Sequence, residues 1–211
     1  MMAHLRLHSM QCAALLFATL LIPPVKHALE ASMATQMLLQ IPLLIAIGWL
    51  LRDAVPRRIR TAADDWNHYG LTGLLLATFA GAYWMLPRVL DAAVTDPLVA
   101  VAKYLSVPLL IGLPFAASWP RMNFIVRGVF LVEFIATFFR LGWLYMVSPI
   151  RLCNNYLLGD QQRTGTCMLA IGSAFFLWIA WKLLWGHFDS LAEPRQPSRT
   201  PAGSAHHHTR G

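Results

Sequence analysis

Long apolar runs separated by short polar segments dominate the chain up to about residue 186. An apolar run of about 18 residues or more can cross a bilayer as a helix. No sustained alternation of apolar and polar residues favours β-strands. The pattern therefore predicts an all-α, polytopic integral membrane bundle of about six transmembrane helices, at residues 9–25, 33–51, 70–87, 98–117, 124–148 and 167–186.

The two ends of the chain carry different patterns. The first apolar run is short, follows a weakly basic start and ends at Pro23 and Pro24, so residues 1–25 fit either a first helix or a signal peptide. Residues 189–211 are rich in Pro, Ser, Arg and His, which favours a disordered cytoplasmic tail. We therefore expect one transmembrane helical domain over residues 1–188, followed by this tail.

Charge supports a bilayer as the main partner. Only 13% of the residues are charged, whereas a soluble domain carries about 25%. With the N-terminus in the cytoplasm, most Lys and Arg residues lie at cytoplasmic helix ends, as the positive-inside rule requires. The net charge of +7 forms no basic patch interleaved with aromatic residues, which excludes nucleic acid as a partner.

Polar residues open the second apolar run. Glu30, Met33, Met37 and Gln40 recur at spacings of three, four and three residues, so they share one helix face, and Gln36 lies beside them. Polar groups in a membrane helix are costly and normally face the interior of the bundle. We therefore expect this face to point inward, near the outer surface.

Residues with soft ligand atoms gather at the same outer level. Thioether, thiolate and imidazole groups suit Cu(I), so the pattern predicts a copper site near the outer surface. The alternative for each methionine is that it fills a gap in helix packing. The candidate ligands are Met33, Met37, Met85, Met168, Cys167, Cys153 and His27.

The two outer cysteines have two interpretations. A disulfide between Cys153 and Cys167 would close the fifth loop and contribute about 3 kcal/mol. Alternatively, the two thiolates are copper ligands.

Charged residues also interrupt the fourth and fifth apolar runs. Glu133 and Arg140 are seven residues apart on one face, about 10 Å along the axis, and Lys103 lies in the neighbouring run. Buried charges in a bilayer usually pair. We expect Glu133 and Arg140 to meet by reaching toward each other or through Lys103. They would form either a structural pair that holds the two helices together or part of an ion path.

Three segments together resemble the CtaG family of caa-type cytochrome c oxidase assembly factors. They are SMATQMLLQIPLLIAIGWLL (32–51), AYWMLPRVLDAAVTDPLVAVAKYLS (82–106) and LLGDQQRTGTCML (157–169). The resemblance implies a non-enzymatic protein of a bacterial inner membrane that helps deliver copper, with oxidase subunits or a copper chaperone as partners.

The resemblance also shows departures from the family pattern. Asp160 and Gln161 are similar to family residues, but Met85 and either Gln36 or Met37 stand where the family's histidines are expected. Six predicted spans instead of seven point to a divergent member.

Three rival functions stay open. The chain is a structural or accessory subunit without a metal, a small ion or copper transporter that uses Glu133 and Arg140, or a redox enzyme that binds haem or quinone. No histidine lies inside the last five apolar runs, which argues against a haem held by two histidines.

Overall fold

The computed structural model describes residues 2–67, 69–152 and 155–185, and within these ranges every regular element is helical. Two short π-helical segments, Gln36–Gln40 and Val107–Gly112, and a 3₁₀ turn, Arg52–Ala54, interrupt or extend the α-helices. The α-helices are α1 (Met2–Leu21), α2 (Pro23–Glu30), α3 (Met33–Thr35), α4 (Ile41–Leu51), α5 (Arg57–Trp66), α6 (Leu71–Trp84), α7 (Pro87–Thr95), α8 (Pro97–Ser106), α9 (Leu113–Ser118), α10 (Phe124–Val147) and α11 (Leu158–Trp185).

The all-α prediction is confirmed, and several of the described helical stretches are long and apolar enough to span a membrane. Three described stretches, Met33–Ala54, Pro97–Ser118 and Leu158–Trp185, are long and apolar enough to cross a membrane. Two bent pairs, α1 with α2 at 73° and α6 with α7 at 68°, raise the number to five if each pair is one span. The 24-residue helix α10 is not among these segments, and it carries Arg127, Glu133 and Arg140. The described helices therefore support three to five spans where the sequence predicted about six.

Prolines explain the positions of the two π segments. Proline has no N–H group, and its ring clashes with the carbonyl four residues earlier. Pro42 follows the first π segment, where the Ile41 N–H bonds five residues back to the Gln36 carbonyl. Pro108 lies in the second segment, where the Leu113 N–H bonds to the Pro108 carbonyl. The wider turns accommodate the rings without ending either helical stretch.

Two glycines let the stretches Met33–Ala54 and Pro97–Ser118 touch through their backbones. A Cβ atom at Gly48 would lie 2.1 Å from the Pro108 carbonyl oxygen, and one at Gly112 would lie 2.4 Å from the Ile45 carbonyl oxygen. Small residues at such a crossing allow the van der Waals contact that holds helices together in a bilayer. This crossing brings the first π segment and α8 into one core.

Helices α10 and α11 pack against each other in antiparallel directions. Gly142 lies against Gly165, and Phe138 lies against Gly172. Further along, the rings of Phe134 and Phe175 are 6.0 Å apart. As the residue numbers of the contacts decrease along α10, those of their partners on α11 increase, so the two helices lie side by side and antiparallel.

Helix α11 begins at Leu158, although the sequence predicted residues up to 166 to lie in a loop before the last span. Its first turns are polar, which lowers the local hydropathy but suits a helix start. Asp160 lies in the first turn, where the helix dipole favours a negative charge. The Thr164 hydroxyl donates to the Asp160 carbonyl at 2.8 Å.

The chain divides into two units, Met1–Phe176 and Leu177–Gly211. In the first unit, Ala13 and Leu20 of α1 are buried in the same core as Leu44 of α4. Helix α1 therefore packs into the bundle, and whether residues 1–25 are a first helix or a signal peptide stays a prediction. In the second unit, Trp181 stacks on Trp185 with centroids 5.2 Å apart. The predicted tail, 189–211, lies outside the described residues.

Candidate functional site

Three of the predicted methionine ligands, the methionine cluster, are buried in one extended hydrophobic core. Met33 lies on α3, Met37 lies in the first π segment and Met168 lies on α11. All three belong to the core that also contains Trp84 and Tyr145. The predicted inward orientation of the Met33 and Met37 face is confirmed.

A buried ion pair joins α2 to α8 beside this cluster. The Lys103 Nζ atom lies 3.1 Å from Glu30 Oε1, and the two side chains are 0% and 8% exposed, respectively. The two residues are 73 positions apart in the chain. Lys103 therefore neutralises Glu30 and not Glu133, which the sequence analysis considered as its partner.

Gln40 and Tyr104 complete the shell around this ion pair. Lys103 Nζ donates to Gln40 Oε1 at 3.0 Å, and Gln40 Nε2 donates to the Tyr104 hydroxyl at 2.8 Å. The Tyr104 hydroxyl in turn donates to the Leu20 carbonyl at 3.3 Å. These hydrogen bonds therefore link α1, α2, the first π segment and α8.

Gln36 extends the polar region toward the loop before α11. The Tyr156 hydroxyl lies 2.8 Å from both the Glu30 carbonyl and Gln36 Oε1. A phenol carries one proton and donates one such bond at a time. Gln36 is fully buried, and its Nε2 atom has no hydrogen-bond partner. One polar atom of the Gln36 amide is therefore left without a partner next to Met33 and Met37 in the chain.

Gln161, a residue singled out by the resemblance, fastens the loop that carries Tyr156. It accepts the Leu152 N–H at its Oε1 atom, at 2.9 Å, and donates from Nε2 to the Tyr145 carbonyl at 3.4 Å. The Tyr145 hydroxyl donates to the Met37 sulfur at 3.8 Å. These contacts join the end of α10 and the start of α11 to the methionine cluster.

Met85, His27 and Cys167 do not join Met33, Met37 and Met168 in the buried core. Met85 is partly buried and packs on its edge. His27 is exposed on α2, and Cys167 is a free, exposed thiol although its neighbour Met168 is buried. Cys153 lies outside the described residues, so its pairing with Cys167 stays a prediction. Asp160 is partly exposed at the start of α11.

The predicted role of Glu133 and Arg140 is wrong in one respect. They form a direct ion pair, as expected, but both lie on α10 and their side chains are 60% and 63% exposed. The pair therefore joins two turns of one helix instead of holding two helices together. It also does not line an interior path.

The sequence analysis missed the tyrosines of this site. Tyr104, Tyr145 and Tyr156 are buried, and each connects elements far apart in the chain. The only local signal was that Tyr104 follows Lys103 and that Tyr156 lies in a polar loop. Among the described residues, no group of three or more His, Cys, Asp or Glu side chains could hold a metal ion.

Comparison with known proteins adds no relative. The chain matches no protein-family model, no curated protein and no solved structure. The resemblance to the CtaG family is therefore carried by the three quoted segments alone.

Proposed function

We propose that this chain is a multi-pass protein of a bacterial inner membrane that holds Cu(I) and assists its delivery to a cytochrome c oxidase during assembly. The observation that carries the proposal is the burial of Met33, Met37 and Met168, from three separate helical elements, in one hydrophobic core. Each would supply a thioether sulfur, the ligand type that selects Cu(I).

The neighbouring residues fit a monovalent soft ion. Glu30 and Lys103 neutralise each other, so the site gains no net charge from them. The Tyr145 hydroxyl uses one lone pair of the Met37 sulfur, and a thioether has a second. The unpartnered Gln36 amide atom supplies a further polar contact if the amide oxygen faces the cluster. We therefore expect selectivity for Cu(I) over Zn²⁺, which prefers imidazole, thiolate and carboxylate ligands.

The assembly role rests on the resemblance to the CtaG family. All three resembling segments contribute residues to the buried region: Met37 and Gln40 from the first, Lys103 from the second, and Gln161 and Met168 from the third. Their convergence supports one shared site. Delivery of copper explains why such a site lies among helices that cross a membrane.

The test is a titration with Cu(I) against a competing chelator, with purified protein in detergent under reducing conditions. The Met33→Leu/Met37→Leu variant conserves volume, so the fold should be retained. We expect tight Cu(I) binding by the original chain and an affinity at least about tenfold lower in the variant. A tenfold loss corresponds to only about 1.4 kcal/mol of binding free energy, a small amount for the removal of two ligands.

Two matched controls isolate the cluster. Met146→Leu removes an exposed methionine at the end of α10, and Cys167→Ser removes an exposed thiol. Neither should change the affinity. Absence of Cu(I) binding by the original chain, or unchanged binding by the double variant, would contradict the proposal.

A non-metal accessory subunit is the second candidate. It is supported by the network around Glu30 and Lys103. In this network, Gln40 and Tyr104 form hydrogen bonds with other residues of the same chain. Such a network can hold the helices together whether or not a metal site lies beside it. This candidate predicts that the double methionine variant behaves like the original chain in every binding assay.

A further inference from the structure

The outward face of α10 carries an unusual stripe of side chains. Successive members are spaced four, three, four, three and four residues apart, the spacing of a seam between two packed helices. Val129, Trp143 and Val147 are more than half exposed, as are the side chains of the central ion pair. The stripe is Val129, Glu133, Ala136, Arg140, Trp143 and Val147.

The position of α10 against α11 places the ion pair at mid-depth. Phe138 packs on Gly172, at the middle of the 28-residue α11, which is long and apolar enough to span a membrane. Glu133 lies five residues before Phe138 and Arg140 two residues after it, so both lie within about 8 Å of this level. In a bilayer, the pair would therefore lie in the hydrocarbon region.

A charged pair at that depth is costly when it faces lipid, and such residues normally face protein or a water-filled cavity. Glu133 and Arg140 contact each other, yet both remain exposed on the described surface. The apolar members of the stripe tolerate lipid, but the two charged members do not. The face is therefore expected to be covered by protein when the chain is in the membrane.

The chemistry of the stripe favours a second copy of the same chain. A carboxylate and a guanidinium that meet at one level offer both acceptors and donors. Arg140 donates from Nη2 to Glu133 and from Nε to the Ala136 carbonyl at 3.3 Å, which leaves other guanidinium donors for a partner. A two-fold axis along the membrane normal would present the same pair to itself, so each carboxylate can accept from the other copy's guanidinium. Ala136, a small residue between the two, allows close approach.

We propose that the α10 stripe is a self-association surface, through which two copies of this chain pair in the membrane with Glu133 and Arg140 as the central reciprocal contact. The proposal rests on the membrane placement of the proposed function and is independent of copper binding. In this proposal, the exposed ion pair sets the register of the two helices and the choice of partner. Polar groups within an apolar helix seam are best known for this role.

The experiment is disulfide cross-linking of an introduced cysteine in intact membranes with molecular iodine, an apolar oxidant that enters the bilayer and converts two thiols into one disulfide and two molecules of hydrogen iodide. Cys12, Cys153 and Cys167 are first replaced by Ser, and Ala136→Cys is then introduced at the centre of the stripe. We expect most of this variant to form a product of twice the monomer mass. Phe79→Cys on α6, an apolar position that is 72% exposed and therefore more accessible than the partly exposed Ala136, is the control and should stay monomeric.

Charge variants test the ion pair itself. Glu133→Arg and Arg140→Glu each place like charges at the seam, and each should lower the cross-linked fraction by about tenfold or more, because like-charge contacts at an interface are strongly unfavourable. The exchange Glu133→Arg/Arg140→Glu keeps one charge of each sign and should restore cross-linking. This rescue separates loss of association from loss of folding.

Three results would overturn the proposal. They are no dimeric product at Ala136→Cys, equal cross-linking at Phe79→Cys, or a product at Ala136→Cys that contains a different protein. Release of the chain from membranes by an alkaline carbonate wash would instead contradict the membrane placement itself. Cu(I) titration reports separately on the metal proposal, so the two failures are distinguishable.

Discussion

Among the described helices, the structure treats the carboxylate–cation pairs Glu30–Lys103 and Glu133–Arg140 in opposite ways. Glu30 and Lys103 join α2 to α8 and are almost fully buried, whereas Glu133 and Arg140 join two turns of α10 and are mostly exposed. Gln40 hydrogen bonds to both members of the buried pair. In the exposed pair, Arg140 also bonds to a backbone carbonyl of its own helix.

The difference shows that the surroundings of an ion pair, more than its charges, decide what it does. A buried pair is retained only when further hydrogen bonds offset the cost of removing both charges from water, and loss of one partner is then strongly destabilising. An exposed pair in water contributes about 0–1 kcal/mol. The buried pair therefore supports the fold of one chain, and the exposed pair is available for contact with another.

The largest expected effect comes from removing the buried cation. Lys103→Met leaves the Glu30 carboxylate buried without its partner, which should lower the free energy of unfolding by about 3–5 kcal/mol. Denaturant-induced unfolding in a mild detergent, followed by tryptophan fluorescence, measures the change. A loss below about 1 kcal/mol, the range of exposed pairs, would show that the pair is not a structural clasp.

The double variant Glu30→Gln/Lys103→Met sharpens this result. It removes both charges together, so no uncompensated charge remains, and we expect part of the lost stability to return. Stability equal to or below that of Lys103→Met would mean that Glu30 contributes through another contact.

A smaller effect is expected at the link between Glu30 and Gln36. Tyr156→Phe removes the hydroxyl that contacts the Glu30 carbonyl and the Gln36 amide. A buried polar group that loses its partner costs about 1–3 kcal/mol. The same unfolding assay measures it, with Tyr83→Phe on α6, an exposed tyrosine, as the control that should leave stability unchanged.

The smallest effect on the isolated chain is expected at the exposed pair. Arg140→Gln should change the free energy of unfolding of detergent-diluted monomer by less than about 1 kcal/mol, because the pair joins two turns of one helix and both side chains are mostly exposed. The same substitution should lower self-association of the detergent-solubilised protein, as analytical ultracentrifugation at increasing protein concentration would show. A large loss of monomer stability would show that the exposed pair supports the fold as the buried pair does, which would contradict the difference between them.

Part of the site was predictable because it depends on local periodicity. Met33 and Met37 lie four residues apart on one helix face, and the cost of polar groups in lipid made that face an inward one. Burial of Met33, Met37 and Gln40 confirms this. The all-α class followed from the lengths of the apolar runs alone.

Other parts were not predictable because polar residues at a helix start resemble a loop. Asp160, Gln161 and Thr164 lower the hydropathy before the last apolar run, yet each is accommodated in the first turns of α11. The bends after α1 and α6 occur just before Pro23 and Pro87, but their angles of 73° and 68° depend on packing and were not predictable from the sequence.

The sequence by itself determined that this chain is helical, that several of its helices are apolar enough to span a membrane, and which face of residues 30–40 is turned inward. These properties follow from neighbours within two helical turns. Only the tertiary structure decided which charge meets which: Lys103 of α8 pairs with Glu30 of α2, 73 positions away in the chain. Tertiary packing also left Glu133 and Arg140 exposed, because α11 contacts the opposite side of α10 at Gly142 and Phe138. Such pairings depend on the relative positions of whole helices, which periodicity within one segment does not encode.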